Sequence, residues 1–168
     1  GKGSPAHQES LTGDGLVTKT AGAFIAVKLA DCQAVMMYDP VKKVAANVHS
    51  GWRGSIQNII GRCIEIMKQQ FNTNPEDIVA GISPSLGPCC SEFIHYKNEI
   101  PKKYWQYKDD RHHFNFWAMS RDQLASSGVR PENIETAGIC TKCNSHLFYS
   151  HRQSKNSGRF AAVIGIRI

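Results

Sequence analysis

The chain has 168 residues, of which 41% are apolar and 20% are charged, with 20 Lys and Arg against 14 Asp and Glu. This length fits one domain with a full core that folds without disulfides or metal. The composition excludes collagen, low-complexity disorder and a coiled coil. No apolar run approaches the roughly 18 residues that a bilayer span requires, and the first ten residues lack the apolar segment of a signal peptide.

The net charge of +6 favours anionic partners such as phosphate or nucleotides. The alternative is that it reflects an ordinary basic surface without a specific anionic partner. The basic residues are scattered, with no basic stripe interleaved with aromatic residues. We therefore expect neither nucleic acid nor a membrane as a partner. The six cysteines are expected to be reduced in a cytoplasmic protein, because an even count without a secretory signal does not indicate disulfides.

Short apolar stretches alternate with helical patterns along the chain. The predicted strands are 23–29, 34–38, 44–49, 78–82, 134–139 and 160–168. Apolar residues from Ile56 to Met67 recur at helical spacing, with Ser55 as the expected N-cap. A second helix is predicted over 116–126, with Gly128 ending it, and the polar segment 97–113 is expected to be a surface excursion. This order indicates an α/β or α+β layered domain.

A first candidate site joins two strand ends. Cys32 follows the first predicted strand, and His49 ends the third. Thiolate and imidazole at adjacent strand ends could ligate zinc or form a nucleophilic Cys–His pair. A buried cysteine and an ordinary turn histidine are the structural alternative.

The turn after His49 contains Arg53 between Gly51 and Gly54, next to the start of a predicted helix. An arginine beside free backbone N–H groups is suited to bind phosphate or an oxyanion. A salt bridge from Arg53 to Glu92 or to an aspartate is the alternative. Glu92 itself, in GPCCSEF, is either a general base or a solvated or capping carboxylate.

Cys140 and Cys143 form an isolated CxxC after a predicted strand. This spacing is typical of half a zinc knuckle or of a redox pair, but no second CxxC or paired histidine follows at finger spacing. We expect that neither residue ligates a catalytic metal, that folding needs no disulfide, and that a Cys143→Ala variant keeps its zinc.

Six blocks together resemble the YfiH-like family, whose members were named multicopper polyphenol oxidases or laccase-domain proteins. The blocks are GDGLVT (13–18), ADCQAVMMYDP (30–40), AANVHSGWRGS (45–55), GPCCSEF (87–93), HFNFWAMSRDQLASSGV (113–129) and CTKCNSHLFYSHR with GRFAAVIGI (140–166). The most specific is HSGWRG, with Cys32 17 residues before His49.

The resemblance implies a layered α/β/β/α sandwich with mixed sheets and one catalytic zinc held by His, Cys and His. Cys32 and His49 match two of these ligands, and Arg53 matches the arginine of the turn. The remaining ligand belongs to a motif well upstream of Asp14, where this chain offers only His7 in different surroundings. We therefore expect 1–12 to be a tag or truncated remnant, and 13–168 to be a single catalytic domain lacking part of the family's N-terminal region.

The activity implied by the resemblance is zinc-dependent phosphorolysis of adenosine and inosine, with methylthioadenosine as a further candidate substrate and adenosine deamination as a second activity. Cys32, His49 and Arg53 are the predicted catalytic residues, and Arg53 and Glu92 are predicted to bind substrate. The alternatives are a Cys–His thiol hydrolase and a non-catalytic zinc-binding module. Laccase chemistry is disfavoured because copper sites of that kind need many histidines, and only His112 and His113 are adjacent.

Overall fold

The computed structural model describes residues 13–168. The strands are β1 (Gly15–Thr18), β2 (Phe24–Leu29), β3 (Gln33–Asp39), β4 (Val44–Ser50), β5 (Val79–Ile82), β6 (Ile134–Thr136) and β7 (Phe160–Gly165). The α-helices are α1 (Trp52–Ile56), α2 (Ile59–Phe71), α3 (Tyr96–Glu99) and α4 (Phe116–Ser126). Short 3-10 helices cover Pro75–Asp77, Lys102–Tyr107 and Pro131–Asn133. The expectations for residues 1–12, including His7 as a ligand, lie outside the described residues.

The strands form two sheets. Five strands pair in the order β1-β4-β3-β5-β6, antiparallel except for the parallel β5–β6 pair, so this sheet is mixed. β2 and β7 pair antiparallel as a separate two-stranded sheet. In the first sheet Ala34 pairs with His49, a register that brings the start of β3 beside the end of β4. Cys32 directly precedes β3, so both candidate ligands lie at neighbouring ends of two adjacent strands.

One face of the five-stranded sheet packs against helices and the other against the second sheet. Apolar residues of α2 and α4 bury against the first face, among them Ile60, Ile64 and Leu124. On the opposite face Asn47 is fully buried, and its side-chain amide donates to the carbonyls of Ile25 and Ala162 in β2 and β7. The layered α/β architecture with mixed sheets expected from the sequence is confirmed.

The predicted helix is divided into α1 and α2, and α1 already begins at Trp52 within the Gly-Trp-Arg-Gly motif, which corrects the predicted N-cap. α1 ends at Ile56, and Asn58 has a left-handed backbone (φ 54°) with a side chain that accepts from the Gly61 N–H, so it caps α2. Ser55 instead lies within α1, where its hydroxyl donates to the Gly51 carbonyl. The continuous apolar spacing hid the break, although Ile56 of α1 packs against the aromatic cluster around Phe114, and Ile60 and Ile64 of α2 pack in the core against the sheet.

The segment 97–113 lies mostly at the surface, as expected, because most of its residues are exposed and only Ile100 is buried, but its aromatic residues also contribute to a second core. Tyr104, Trp105 and Tyr107 of the segment pack against a cluster that includes the start of α4, and Trp105 contacts Tyr96 edge to face at 5.0 Å between ring centroids. The buried members of this cluster are Tyr96, Ile100, Phe114, Phe116 and Met119. Aromatic residues spaced irregularly through a polar segment give no periodic signal, which is why this contribution to the core was not predicted.

The other predicted elements agree with the structure apart from their ends. α4 has the predicted bounds, and Gly128 follows it with φ +98°. β6 ends at Thr136, three residues earlier than predicted, shortly before the left-handed Gly138. β1 was not predicted because four residues beside a glycine give too short a pattern. Among residues 13–168, no helix is both long and apolar enough to cross a membrane.

Candidate functional site

A cavity of about 360 Å³ opens where the turn before β3 meets the turn after β4. Its polar wall includes Cys32, Arg53, His151 and Arg152. Apolar and aromatic side chains form the rest of the wall, chiefly Trp52, Leu86, Phe93 and Phe116. A mostly apolar cavity with a few convergent polar groups is the usual form of a small-molecule site.

Cys32 and His49 meet beside Gly51. A Cβ atom at Gly51 would lie 3.1 Å from Cys32 Sγ and 3.9 Å from His49 Cε1, so a glycine leaves the room that both side chains use. The His49 Nδ1 atom lies 3.0 Å from Asp14 Oδ1. The hydrogen bond with Cys32 raises the pKa of His49 to about 9, against the opposing effect of burial and with a further contribution from Asp14.

The donor set at this position fits a metal ion. A carboxylate on Nδ1 fixes the imidazole and leaves Nε2 available, which is how metal-bound histidines are usually held. Thiolate and imidazole are ligands that zinc prefers. Within residues 13–168 this pair could supply two ligands, and no third His, Cys, Asp or Glu ligand groups with them. Asp14 was not predicted as a site residue, because the 35 residues that separate it from His49 carry no spacing signal.

Arg53 lies in the first turn of α1, exposed, with its guanidinium carbon 4.2 Å from the centre of the Trp52 ring. In the part of the chain that the structure describes, no carboxylate oxygen lies within 4 Å of it. The predicted alternative of a salt bridge to Glu92 or an aspartate therefore does not occur among these residues. A cation without a protein counter-ion at a cavity wall is suited to an anionic ligand.

Arg152 is a second arginine at the cavity, and sequence reasoning did not assign it a role. Its Nη1 donates to the Glu92 carbonyl, and its guanidinium carbon lies 5.7 Å from the Phe93 ring centre. Glu92 is not among the cavity-lining residues and its side chain is exposed. The contact of Glu92 with the site is thus through its carbonyl oxygen, and its role in substrate binding stays a prediction.

Asp31 connects the two sides of the cavity. Its backbone is left-handed (φ 82°), and its carboxylate accepts from the Thr141 hydroxyl at 2.7 Å and from the Arg152 N–H at 2.6 Å. Its carbonyl also accepts from the Leu86 N–H. The residue directly before Cys32 therefore fixes the segments that carry Leu86, His151 and Arg152.

A separate cluster of four cysteines lies outside this cavity. The sulfur atoms of Cys89, Cys90, Cys140 and Cys143 all lie within 4.8 Å of one another, and none is in a disulfide. Burial acts against the Cys140 thiolate, but hydrogen bonds from the backbone of Cys143 and Gly87 and from the thiols of Cys89 and Cys143 together lower its pKa to about 7. The Cys140–Cys143 pair was predicted to lack a partner pair; the fold supplies one from adjacent cysteines about 50 residues earlier.

Comparisons with known proteins agree with this architecture. Residues 3–167 match the family described as multi-copper polyphenol oxidoreductase laccase. The purine nucleoside phosphorylase YlmD of Bacillus subtilis is 29% identical over 99% of this chain and 64% of its own length. A purine nucleoside phosphorylase of Bacteroides thetaiotaomicron is 32% identical over 97% of this chain and 64% of its own length.

The crystal structure of the Bacillus licheniformis protein YfiH superimposes with a TM-score of 0.83, at 29% identity, over 92% of this chain and 61% of that one. Fold and site thus define a layered α/β protein with a cavity of apolar and polar residues at the strand ends of a mixed sheet. The chain belongs to the YfiH-like family, which also carries the laccase description. It spans a little under two thirds of the length of these relatives.

Proposed function

We propose that this chain forms the catalytic domain of a zinc-dependent purine nucleoside phosphorylase. The proposed substrates are phosphate and either adenosine or inosine, with methylthioadenosine as a further candidate. Deamination of adenosine is the proposed second activity. The names of two relatives support phosphorolysis. The proposal covers residues 13–168 as one domain in the cytoplasm, where the six unpaired cysteines would stay reduced.

Cys32 and His49 are the residues that would hold the zinc, with a further ligand from outside 13–168. The ion would supply a Lewis acid that polarises the group it contacts. Asp14 keeps the His49 ring oriented through Nδ1. Gly51 keeps the space beside Cys32 open, because any side chain there would displace the sulfur.

The two arginines would bind the phosphate. In phosphorolysis a phosphate oxygen forms a bond to C1′ of the ribose, the glycosidic bond breaks, and its electron pair leaves with the purine, which takes up a proton. Arg53 can offer its planar fork to two phosphate oxygens, and Arg152 adds a second positive charge at the same cavity. Holding the anion against the sugar lowers the barrier through proximity and charge stabilisation.

The aromatic side of the cavity would receive the base. Trp52, Phe93 and Phe116 line the wall together with Leu86, and Trp52 contacts Phe93 edge to face at 5.9 Å between ring centroids. A purine has a flat, weakly polar face that fits such a wall. The observation that carries the proposal is Arg53, a cation without a carboxylate partner in 13–168, which shares a cavity wall with Cys32, the residue that contacts His49.

Chromatography of adenosine and inosine incubated with the zinc-loaded chain tests the proposal. We expect free base to appear only with phosphate, and to be lost after chelation and restored by zinc. A thiol hydrolase would keep its activity after metal removal, and a binding module would bind zinc without any turnover. Either result would contradict the proposal, as would base release at an equal rate without phosphate.

A further inference from the structure

The four-cysteine cluster (Cys89, Cys90, Cys140 and Cys143) is not used by the proposed reaction. Cys89 and Cys90 lie in the turn after the irregular segment that follows β5, and Cys140 and Cys143 lie in the turn that follows Gly138. Cys140 is buried, Cys90 is half-buried, and Cys89 and Cys143 reach the surface. The cluster is thus anchored inside the protein and open on one side.

Backbone contacts hold the two turns together. Ser85 and Cys140 form a parallel bridge, in which the Ser85 N–H donates to the Ile139 carbonyl and the Thr141 N–H donates to the Ser85 carbonyl. A Cβ atom at Gly87 would lie 3.0 Å from the Cys140 Cβ, so the glycine permits the close approach. The convergence of the sulfurs therefore follows from main-chain pairing as well as from side-chain rotamers.

The distances match the ligand sphere of one ion. The Cys143 Sγ atom lies 3.6 Å from that of Cys89 and 3.5 Å from that of Cys90. Tetrahedral zinc with Zn–S bonds of about 2.3 Å separates its sulfurs by about 3.8 Å. A disulfide would bring two sulfurs to about 2.05 Å. An iron–sulfur cluster distributes its thiolates over different iron atoms, which sets them farther apart than the ligands of a single ion.

We propose that Cys89, Cys90, Cys140 and Cys143 form a structural zinc site with four thiolate ligands, separate from the Cys32–His49 pair. Each thiol that binds loses its proton, and the four thiolates close the coordination sphere, so no position is left for substrate. The site joins the segment that carries Leu86 to the segment that carries His151 and Arg152. Its role is to hold one wall of the cavity, in parallel with the hydrogen bonds of Asp31.

This inference revises the sequence-based expectation for Cys143→Ala. That variant was expected to keep all of its zinc, on the assumption that the CxxC had no partner pair. With the adjacent cysteines as partners, loss of Cys143 removes one ligand of four and should release the ion of this site. The inference does not depend on the proposed phosphorylase activity.

The test is cobalt and zinc binding to the reduced full chain in a Cys32→Ser background, which removes the other candidate site. We expect one Co²⁺ per chain, with the intense near-ultraviolet thiolate-to-cobalt absorption and the visible bands of tetrahedral cobalt, and displacement of the cobalt by one equivalent of Zn²⁺. Added Cys143→Ser or Cys89→Ser should abolish the tight binding. Both side chains are exposed, so neither substitution disturbs the core.

Cys63→Ala in the same background is the matched control, because Cys63 is buried away from both sites and should leave cobalt binding unchanged. The proposal is overturned if the Cys32→Ser chain binds no cobalt, or if the absorption persists in Cys143→Ser and in Cys89→Ser. It is also overturned if the chain as purified has iron bound at the cluster, or if mass spectrometry finds a disulfide within it.

Discussion

Arg53 is the residue on which phosphate recognition depends in this account. Arg53→Lys keeps the charge but loses the bidentate fork. Since one charge-assisted hydrogen bond contributes about 1.5–3 kcal/mol, kcat/KM for phosphate should fall by about tenfold to hundredfold. Zinc content and melting temperature should not change. Phosphate titration of initial rates measures this.

Arg62→Lys is the matched control for Arg53→Lys. Arg62 is exposed on α2 and does not line the cavity, so its replacement should leave the phosphate dependence unaltered. If the Arg53→Lys chain shows the same dependence of rate on phosphate concentration as the unmodified chain, the role assigned to Arg53 is contradicted.

Asp31 should act as a positioning residue. Asp31→Gly retains the left-handed backbone but removes both hydrogen bonds to the carboxylate, so the free energy of unfolding should fall by about 2–4 kcal/mol. Asp31→Asn should restore most of that loss, because the amide oxygen can accept from Arg152 N–H while its amino group donates to Thr141. Urea denaturation of the two variants measures the difference, and equal losses would contradict the assignment.

Cys63 should be chemically inert in the folded chain. Burial raises the pKa of this thiol to about 12, so at pH 8 only about one molecule in ten thousand holds a thiolate there. Iodoacetamide should label Cys63 at pH 8 only after denaturation, whereas it should label exposed Cys143 in the metal-free native chain. Mass spectrometry of digests measures both. Labelling of Cys63 at equal rates before and after denaturation would contradict its buried, neutral state.

The residues of the site could be predicted only where they share a motif. Cys32, His49 and Arg53 stand in two recognisable blocks; the structure places Cys32 and Arg53 in the wall of one cavity and His49 beside Cys32. Asp14 and Arg152 could not be found in this way, because their contacts join segments far apart in sequence. The contact between the sulfur atoms of Cys89 and Cys143, at 3.6 Å, could not be predicted either, because the two residues are 54 positions apart and no spacing motif links them.

The break between α1 and α2 depends on Asn58. Asn58→Ala removes the cap. It also leaves alanine, whose Cβ disfavours the left-handed region and whose side chain makes no hydrogen bond there, so the free energy of unfolding should fall by about 2 kcal/mol. Asn58→Gly removes the cap but tolerates the backbone, and should cost only a few tenths of a kcal/mol. Urea denaturation of both variants measures the difference.

Asn72 supplies an internal comparison for that prediction. It is also left-handed (φ 55°), but it follows α2 as the C-cap, where the backbone conformation rather than a side-chain bond matters. Asn72→Gly should therefore be neutral or slightly stabilising. If Asn58→Gly and Asn58→Ala cost the same, the left-handed conformation does not determine the break.

At the scale of the whole molecule, the sequence predicts the elements better than their arrangement. Six of the seven strands and α4 follow from apolar patterning, since buried faces repeat at the period of each element. The division into two sheets joined by buried Asn47 does not follow from patterning, because β2 pairs with β7 from the far end of the chain. The family resemblance supplied that layer order, whereas local propensity did not.

The central claim is that the cavity beside Cys32, His49 and Arg53 is a site of phosphorolysis. The most direct measurement is ³¹P nuclear magnetic resonance of inosine and inorganic phosphate incubated with the zinc-loaded chain. The account predicts that a ribose 1-phosphate signal grows as inorganic phosphate declines, in equal amount to the hypoxanthine released, and that it fails to grow with Cys32→Ser. Hypoxanthine without the sugar phosphate, or no conversion by the zinc-loaded chain, would contradict it.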